Sequence, residues 1–413
     1  MATVTVSVGT LQHGFTADDI TGSGPWEVEE FGGGFPLLGI SVGQAFVDFA
    51  GNVYAITDLV DARTFEATDS YGMGVAPVLG DGTVGRMFSG LGTAEASISL
   101  FAGAGDTYII ACYNDGLITE APVTFNDSAL GSGGTLKVTV ADGEWHRGTP
   151  GAGVRLQPSA EGTFMRFAVT SASCPTQIIE RLDIVGITVT ATATIALLIN
   201  EDGTNTTTIR NCIARDFVTS GGSNKPIRGF FVNTGATNGV RLENCLAYNF
   251  TRAGGSTGEA RGFRTDTTNA AFFNCTGYNC VNNFSESGSG TDNVAKNCAG
   301  LGHAGGADFS GTWHASSTHN ASSDTSAPGS SALKSLTTSD QFVDVTSGSE
   351  DLHLKVGADL IGAGVDLSSD FINDLDGHAR IVPWDIGADG VPLVTQMATA
   401  SRFVAGGVHR RVR

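Results

Sequence analysis

The chain has 413 residues, enough for one elongated domain and an appendage. Its 57 glycines and 16% charged residues are typical of a turn-rich, strand-rich protein, and its formal net charge of −19 argues against nucleic acid binding through a basic surface. The sequence contains no candidate membrane span, and its N-terminal residues lack a secretory signal, which indicates folding in a cytoplasm.

Residues 1–83 predict a small antiparallel β domain. Gln44–Phe49 and Val53–Leu59 alternate in hydrophobicity on either side of a turn, and Thr64–Thr68 follows as a third strand. Such an appendage serves either as a cap over the open end of a solenoid or as a docking domain, and the sequence leaves both roles open.

The segment Thr93–Ala104 predicts a short helix. Ala94, Ile98, Leu100 and Phe101 fall on one side of it, and glycines follow its end. Because the helix precedes the first predicted rung of a solenoid, which we call the coil, we expect it to cover the apolar end of that coil.

Between residues 207 and 300 a short phrase ending in Asn-Cys recurs four times, at Ile209–Cys212, Leu242–Cys245, Phe272–Cys275 and Ala295–Cys298. The asparagines at 211, 244, 274 and 297 are therefore 33, 30 and 23 residues apart. Repeats of this period indicate a solenoid in which each unit buries its apolar face by stacking on its neighbours. The short segments rich in β-branched and aromatic residues predict parallel strands.

The geometry of a single rung explains the residue types of the Asn-Cys motif. Ile209 is expected to face inward and Arg210 outward, while Asn211 occupies a corner because asparagine tolerates the left-handed backbone conformation. Cys212 then faces inward and stacks on the cysteines of the next rungs. The corner asparagines are expected to hydrogen-bond to one another along the stack. An odd total of seven cysteines, most of them in this row, favours reduced thiols over disulfides.

The longer rungs predict a ridge. If a rung without inserted loops takes 23 residues, the additional residues of the two longer rungs fall at Thr219–Pro226 and Arg252–Glu259. Both segments follow directly after predicted strands, which end at Phe217 and Phe250. Loops inserted at one position of adjacent rungs stack side by side and are common recognition surfaces. The candidate carbohydrate- or partner-binding residues at this ridge are Lys225, Arg228, Glu259, Arg261, Arg264 and Asp266. The alternative is a solvated face with ordinary ion pairs.

Three further segments follow the repeats. The coil is predicted over 84–345 and a closing segment over 346–393, within which Asp374–Gly377 resembles half of a calcium loop but favours a simple turn. Residues 394–413 form a basic tail, in which the candidate docking residues are Arg402, Arg410, Arg411 and Arg413. A disordered solubilising tail is the alternative.

The start and end of the coil carry a family resemblance. Asp106–Gly116, Glu144–Thr149 and Gly153–Leu156 at the start, and Asn320–Gly329 and Trp384–Asp389 at the end, resemble right-handed parallel β-helix proteins of the pectate-lyase-like superfamily, of the kind found in phage virions. The resemblance covers about residues 84–392. It implies an all-β fold, a right-handed parallel β-helix with a short N-terminal capping helix and a preceding antiparallel domain, and it does not specify an activity.

No catalytic residue, cofactor or metal ion is predicted. The outward neighbours of the Asn-Cys phrase are Arg210, Glu243, Phe273 and Lys296, whose alternating charges suit solubility and register better than catalysis. The sequence therefore favours a non-catalytic structural or adhesive protein of a phage particle, such as a capsid decoration, head fibre or tail spike.

The expected location is the virion. The expected partners are other virion proteins, bound through residues 1–83 and the basic tail, a host surface polysaccharide, and, as an open alternative, further copies of the chain. Two other functions stay open: a polysaccharide lyase or hydrolase that uses the ridge at 252–266, and a bacterial surface adhesin.

Overall fold

The protein is described by a computed structural model. Within residues 3–85 the backbone of the strands is described. Beyond them the described residues are 90–96, 98, 103–114, 116–125, 128–131, 133–167, 176–199, 206–221, 224–233, 239–266, 269–287 and 292–392. The basic tail and the side chains of the N-terminal unit lie outside these residues, so the predicted docking arginines are not placed.

The described chain is almost entirely β-structure, and most strands belong to three parallel sheets. Sheet I pairs, in order, Thr3–Val8, Thr107–Cys112, Thr135–Val140, Thr176–Glu180, Thr207–Arg210, Val240–Glu243, Ala270–Phe273 and Val294–Lys296. Sheet II pairs Leu117–Glu120, Arg155–Pro158, Asp183–Val185, Ile213–Thr219, Leu246–Arg252, Thr276–Tyr278, Ala299–Leu301 and Ala321–Ser322, with Thr188–Val189 beside the fourth. Sheet III pairs Val123–Phe125, Thr163–Phe167, Thr194–Ile199, Ile227–Val232, Ala260–Thr265, Asn282–Glu286 and Ala307–Ser310.

The chain visits the three sheets in turn, so each circuit adds one strand to each sheet. This arrangement confirms the predicted solenoid of stacked parallel strands and is compatible with a parallel β-helix. The remaining N-terminal strands form an antiparallel sheet in the order Gln12–Ala17, Gly80–Gly85, Ala45–Val47, Val53–Leu59, Thr64–Thr68, Trp26–Glu29 and Asp19–Thr21. Thr3–Val8 instead pairs in parallel with Thr107–Cys112 of the coil.

Helices are few and short. The first is Leu91–Ala96, which begins before the predicted Thr93. Of the rest of the predicted helix, Ile98 is helical, whereas residue 97 and residues 99–102 lie outside the described residues. Leu91 and Ala94 are buried in the main core, and Leu91 and Gly92 donate backbone hydrogen bonds to the Glu120 carboxylate. A 3-10 helix spans Ser128–Leu130, and a four-residue helix, Thr338–Gln341, precedes the antiparallel strands Phe342–Asp344 and Asp351–Leu354.

Aromatic residues stack inside the coil from rung to rung. In sheet III, Phe230, Phe263, Phe284 and Phe309 form one column, with successive ring centroids 5.2, 4.6 and 4.7 Å apart. Gly229 precedes this column, and a Cβ there would lie 2.5 Å from the carbonyl oxygen of Gly262. The recurring Gly-Phe pair therefore lets strands pack closely while each phenylalanine buries apolar surface, worth about 2–3 kcal/mol per ring.

The Asn-Cys phrase folds as predicted at the corner between sheets I and II. Cys212, Cys245, Cys275 and Cys298 are all fully buried and unpaired by disulfides. The four preceding asparagines have φ between 49° and 55°, in the left-handed region. Burial holds the pKa of the Cys245 thiol well above its ordinary value, which makes the thiolate inaccessible in the folded protein.

The hydrogen bonds of the corner asparagines differ from the prediction. Only Asn297 donates to another corner asparagine, Asn274, at 3.1 Å. The other amides bind backbone carbonyls of the closing segment: Asn211 donates to Asp374, and Asn244 donates to Asn373. These hydrogen bonds to the closing segment replace the predicted ladder of asparagine side chains. No local sequence pattern places the closing segment along this corner.

The ridge is present, although the predicted strand ends are wrong. The strands run to Thr219 and Arg252, so the loops span 220–226 and 253–259. The loops lie against each other, since a Cβ on Gly254 would be 3.1 Å from the Gly221 nitrogen. Part of the extra rung length is strand rather than loop, because the sheet II strand has seven residues in these rungs and three in the next.

Candidate functional site

The predicted ridge residues form a network of ion pairs on the outer face of sheet III. Arg228 lies opposite Arg261 on the neighbouring strand. The carboxylate of Glu259 accepts from Arg228 at 3.0 Å and from Arg261 at 2.7 Å. The guanidinium of Arg228 also lies 4.5 Å from the centre of the Phe231 ring, a cation–π contact.

A second pair adjoins this network. Arg264 is 8% exposed, pairs with Asp266 and donates to Ser285 and Ser287. Lys225 lies in the loop and is exposed. The structure thus brings the predicted residues together, but their carboxylates are already engaged by guanidinium groups, which is the arrangement of the alternative interpretation.

A cleft that the sequence did not predict lies between the outer face of sheet I and the closing segment. We call it the corner cleft. Its volume is about 300 Å³, and its lining includes Trp145, Glu180, Arg210, Glu243, Asp370 and Phe371. Trp145 is partly buried against the core and lies beneath the guanidinium of Arg181, which is 5.2 Å from the ring centre.

Two glutamates of the corner cleft lie in different electrostatic environments. Glu180 is almost fully buried and pairs with Lys137 at 2.7 Å and Arg210 at 2.6 Å. Burial opposes its ionisation, but these two cations outweigh burial and lower the pKa of Glu180 to about 2. Burial raises the pKa of Glu243 above its ordinary value, although Arg241 lies against it.

The strand register fixes the spacing of these carboxylates. Glu180 lies opposite Arg210, and Arg210 lies opposite Glu243 on the next strand. The two glutamate backbones are thus two strand spacings apart, about 9–10 Å. The cationic Arg210 lies between them and is partly exposed to the cleft.

A larger cleft of about 580 Å³ lies on the outer face of sheet II, lined by residues that include Arg215, Tyr248, Asn249 and Glu350. Arg215 pairs with the buried Asp183 at 2.9 Å. Asn249 donates to Glu350 and accepts from the Asn279 amide. Its polar groups are largely bonded to one another, so this cleft offers fewer free partners to a ligand.

Glu243 faces outward from sheet I, as its position in the motif predicts, but the closing segment covers it and leaves it 4% exposed. Phe273, the next outward residue, is 8% exposed for the same reason. The sequence signal for the cleft is the Glu144–Thr149 stretch, which contains the cleft residue Trp145.

Among the described residues, one group has the composition of a metal site: His353, Asp376 and Asp389, in the closing segment. No helix within the described residues is long and apolar enough to cross a membrane. Comparison of the chain with protein-family models, with curated proteins and with solved structures returned no match.

Proposed function

We propose that this protein is a non-catalytic adhesive scaffold that binds surface carbohydrate in the corner cleft. The observation that carries the proposal is the combination of aromatic and polar groups there: Trp145 and Phe371 line the same cleft as the guanidinium of Arg210. Small-ligand sites typically combine apolar walls with a few placed polar groups, and a sugar ring presents both kinds of surface.

The charge of the whole chain, rather than that of the cleft, selects the class of sugar. The carboxyl groups of Glu180, Glu243 and Asp370 in the cleft are paired with Lys137, Arg210 and Arg241. The whole chain carries a net charge of −19. An anionic polyuronate would be repelled, so we infer a neutral or amino sugar as the ligand.

The finer fold and the setting belong to the same proposal. Connections between parallel strands of one sheet are almost always right-handed, which supports a right-handed coil. The sequence resemblance supports the pectate-lyase-like superfamily, a capping role for the Leu91–Ala96 helix, and a place on a phage particle, with residues 1–83 and the basic tail as docking elements. Neighbouring capsid and tail genes would support this setting, and export genes would favour the bacterial adhesin.

Glycoside hydrolysis in the same cleft is the second candidate. It is favoured by the opposite pKa shifts of Glu180 and Glu243, since such pairs divide the roles of acid and base. It ranks second because the carboxylate of Glu180 is held by Lys137 and Arg210. The ridge is a further catalytic candidate, in which Glu259 is likewise held by two cations, Arg228 and Arg261.

Binding is tested with the full chain and soluble oligosaccharides of neutral, amino and uronic sugars, by isothermal titration calorimetry. We expect neutral or amino sugars to bind and Trp145→Ala to weaken binding about two- to tenfold, since an aromatic contact contributes about 0.5–1.5 kcal/mol. The ridge variant Glu259→Gln is the control and should bind normally. Absence of binding to any sugar, or unchanged binding by Trp145→Ala, would contradict the proposal.

Turnover is tested in parallel by following reducing ends and the absorbance of unsaturated uronate. Turnover lost in Glu243→Gln would establish the hydrolase. Turnover lost in Glu259→Gln or Arg264→Ala would establish a depolymerase at the ridge. With no turnover of any sugar that binds, the adhesive function stands.

A further inference from the structure

The closing segment brings three metal-ligating side chains together. His353 lies on the strand Asp351–Leu354, and Asp376 lies in the turn Asp374–Gly377, which resembles half of a calcium loop. Asp389 lies near the end of the described chain. One ligand atom from each lies within 4.8 Å of the others. We propose that His353, Asp376 and Asp389 bind one divalent transition-metal ion that ties three stretches of the closing segment together.

The Asp376 carboxylate is the first support. Its Oδ1 atom is buried, makes no well-aligned hydrogen bond and lies 3.3 Å from Nε2 of His353, which gives it a charged partner only when that ring is protonated. An unsatisfied buried carboxylate oxygen costs free energy unless a cation compensates it. Ligand atoms bound to one tetrahedral zinc ion, about 2.0–2.1 Å from the metal, are about 3.3 Å apart, so this pair already has the spacing that a shared ion requires.

The orientation of His353 is the second and independent support. Its Nδ1 atom lies 2.5 Å from Oδ1 of Asp351 on the same strand. This contact turns Nε2 toward Asp376. A histidine that binds a metal commonly uses its other ring nitrogen for such a bond to a carboxylate, which fixes the ring and raises its basicity.

The third donor is also held in place. Asp389 is 7% exposed, and one carboxylate oxygen accepts from the Leu354 nitrogen at 2.7 Å. The coil closes the site, because a Cβ on Gly148 would lie 1.8 Å from Oδ1 of Asp376 and 2.9 Å from Nε2 of His353. An ion held here would therefore tie three stretches of the closing segment together beside a turn of the coil.

The charges and donor types identify the ion. The carboxylates of Asp351, Asp374, Asp376 and Asp389 face this region, against the side chains of His353, His378 and Arg380. One nitrogen and two oxygen donors suit zinc-like ions, whereas calcium and magnesium prefer oxygen alone. The competing arrangement is a protonated His353 that forms an ion pair with Asp376 and needs no metal.

The test uses the full chain, stripped with a chelator and dialysed. Zn²⁺, Co²⁺, Ca²⁺ and Mg²⁺ are each titrated by calorimetry, and the thermal midpoint is recorded with and without each ion. We expect one Zn²⁺ or Co²⁺ per chain and a higher midpoint, because an ion that binds only the folded state stabilises it. The visible spectrum of bound Co²⁺ should change in His353→Gln.

Conservative variants locate the ion. Asp376→Asn and Asp389→Asn should each lower Zn²⁺ affinity at least about tenfold, and the positioning variant Asp351→Asn should lower it about 10–100-fold. Asp366→Asn, an exposed carboxylate of the same segment, is the matched control. These comparisons also distinguish an ion bound at this site from an ion bound by the cysteine thiols, because the variants leave the thiols intact.

Three results would overturn the proposal: no ion bound by the full chain, affinity undiminished in Asp376→Asn and Asp389→Asn, or a clear preference for Ca²⁺. A thermal midpoint that responds to pH but to none of the ions would establish the ion pair instead. Sugar binding is measured separately, so failure of the metal site and failure of the corner cleft remain distinguishable.

Discussion

Glu180 and Glu259 have the same local pattern and different surroundings. Each glutamate accepts from two cationic side chains: Lys137 and Arg210 at the corner, Arg228 and Arg261 at the ridge. The Glu180 side chain is 2% exposed, while that of Glu259 is 41% exposed. Solvent screens the ridge pairs, so burial decides how much an identical set of contacts contributes.

The two regions also differ in what they depend on. The described ridge contacts join residues of the same rung or of neighbouring rungs. The corner instead depends on a segment more than a hundred residues downstream, because Asn244 binds both the Asn373 carbonyl and the Arg380 guanidinium. Substitutions at the corner should therefore have larger effects on stability than substitutions at the ridge.

The largest effect is expected at Arg380. Its guanidinium donates to Asn244 Oδ1 and to the carbonyls of Gly387 and Ala388, beside the buried carboxylate of Asp374. Arg380→Met removes the donor of these hydrogen bonds and the positive charge beside Asp374. The substitution should lower the free energy of unfolding by about 3–5 kcal/mol in urea denaturation. Arg166→Met, at an exposed position, is the control, and a loss below about 1 kcal/mol for Arg380→Met would contradict the corner's dependence on this residue.

The next effect is a pH dependence at His146. Its Nδ1 accepts from the Gly148 nitrogen, so Nε2 donates to the Asn211 carbonyl at the corner. Burial lowers the pKa of His146 to about 4, against the attraction of Asp183. Because the unfolded chain takes up the proton near pH 6.5 and the folded chain does not, stability should fall by about 3 kcal/mol from pH 6.5 to 4.

Urea denaturation across this pH range measures the effect. Carboxyl groups titrate in the same interval, so the quantity to compare is the difference between the wild type and His146→Gln. The variant should show a flatter dependence on pH above 4. Parallel curves would contradict the buried neutral histidine.

The inside of the rungs was predictable and the outside was not. Ile209 and Cys212 face inward because a rung leaves few alternatives for an apolar residue between a strand and a corner, and this pattern is local. The cover over Glu243 includes an ion pair between the neighbouring Arg241 and Asp370, 129 positions further along the chain (370 − 241), and no local pattern encodes that contact. For the same reason His353, Asp376 and Asp389 could not be grouped from their spacing.

The inward cysteines should have a moderate effect. Cys245→Ser places a hydroxyl among fully buried apolar residues and should destabilise by about 1–3 kcal/mol in urea denaturation. Cys245→Ala, which buries no hydroxyl, is the matched control. In the native state Cys212, Cys245, Cys275 and Cys298 should react with a thiol reagent only as fast as the chain unfolds, and rapid labelling of all four would refute this register.

The smallest effect is expected at the ridge, where Glu259→Gln sharpens the comparison. The amide keeps an acceptor for Arg228 or Arg261, Arg228 keeps its contact with Phe231, and the lost charge was already exposed to solvent, so we expect less than about 1 kcal/mol. Glu180→Gln removes the same charge from a buried position and should cost about 1–3 kcal/mol, because the hydrogen bonds of Lys137 and Arg210 lose a charged acceptor. Raising the salt concentration in urea denaturation should shrink the Glu259→Gln difference and leave the Glu180→Gln difference largely unchanged. Equal costs for both variants would show that burial does not separate the corner from the ridge.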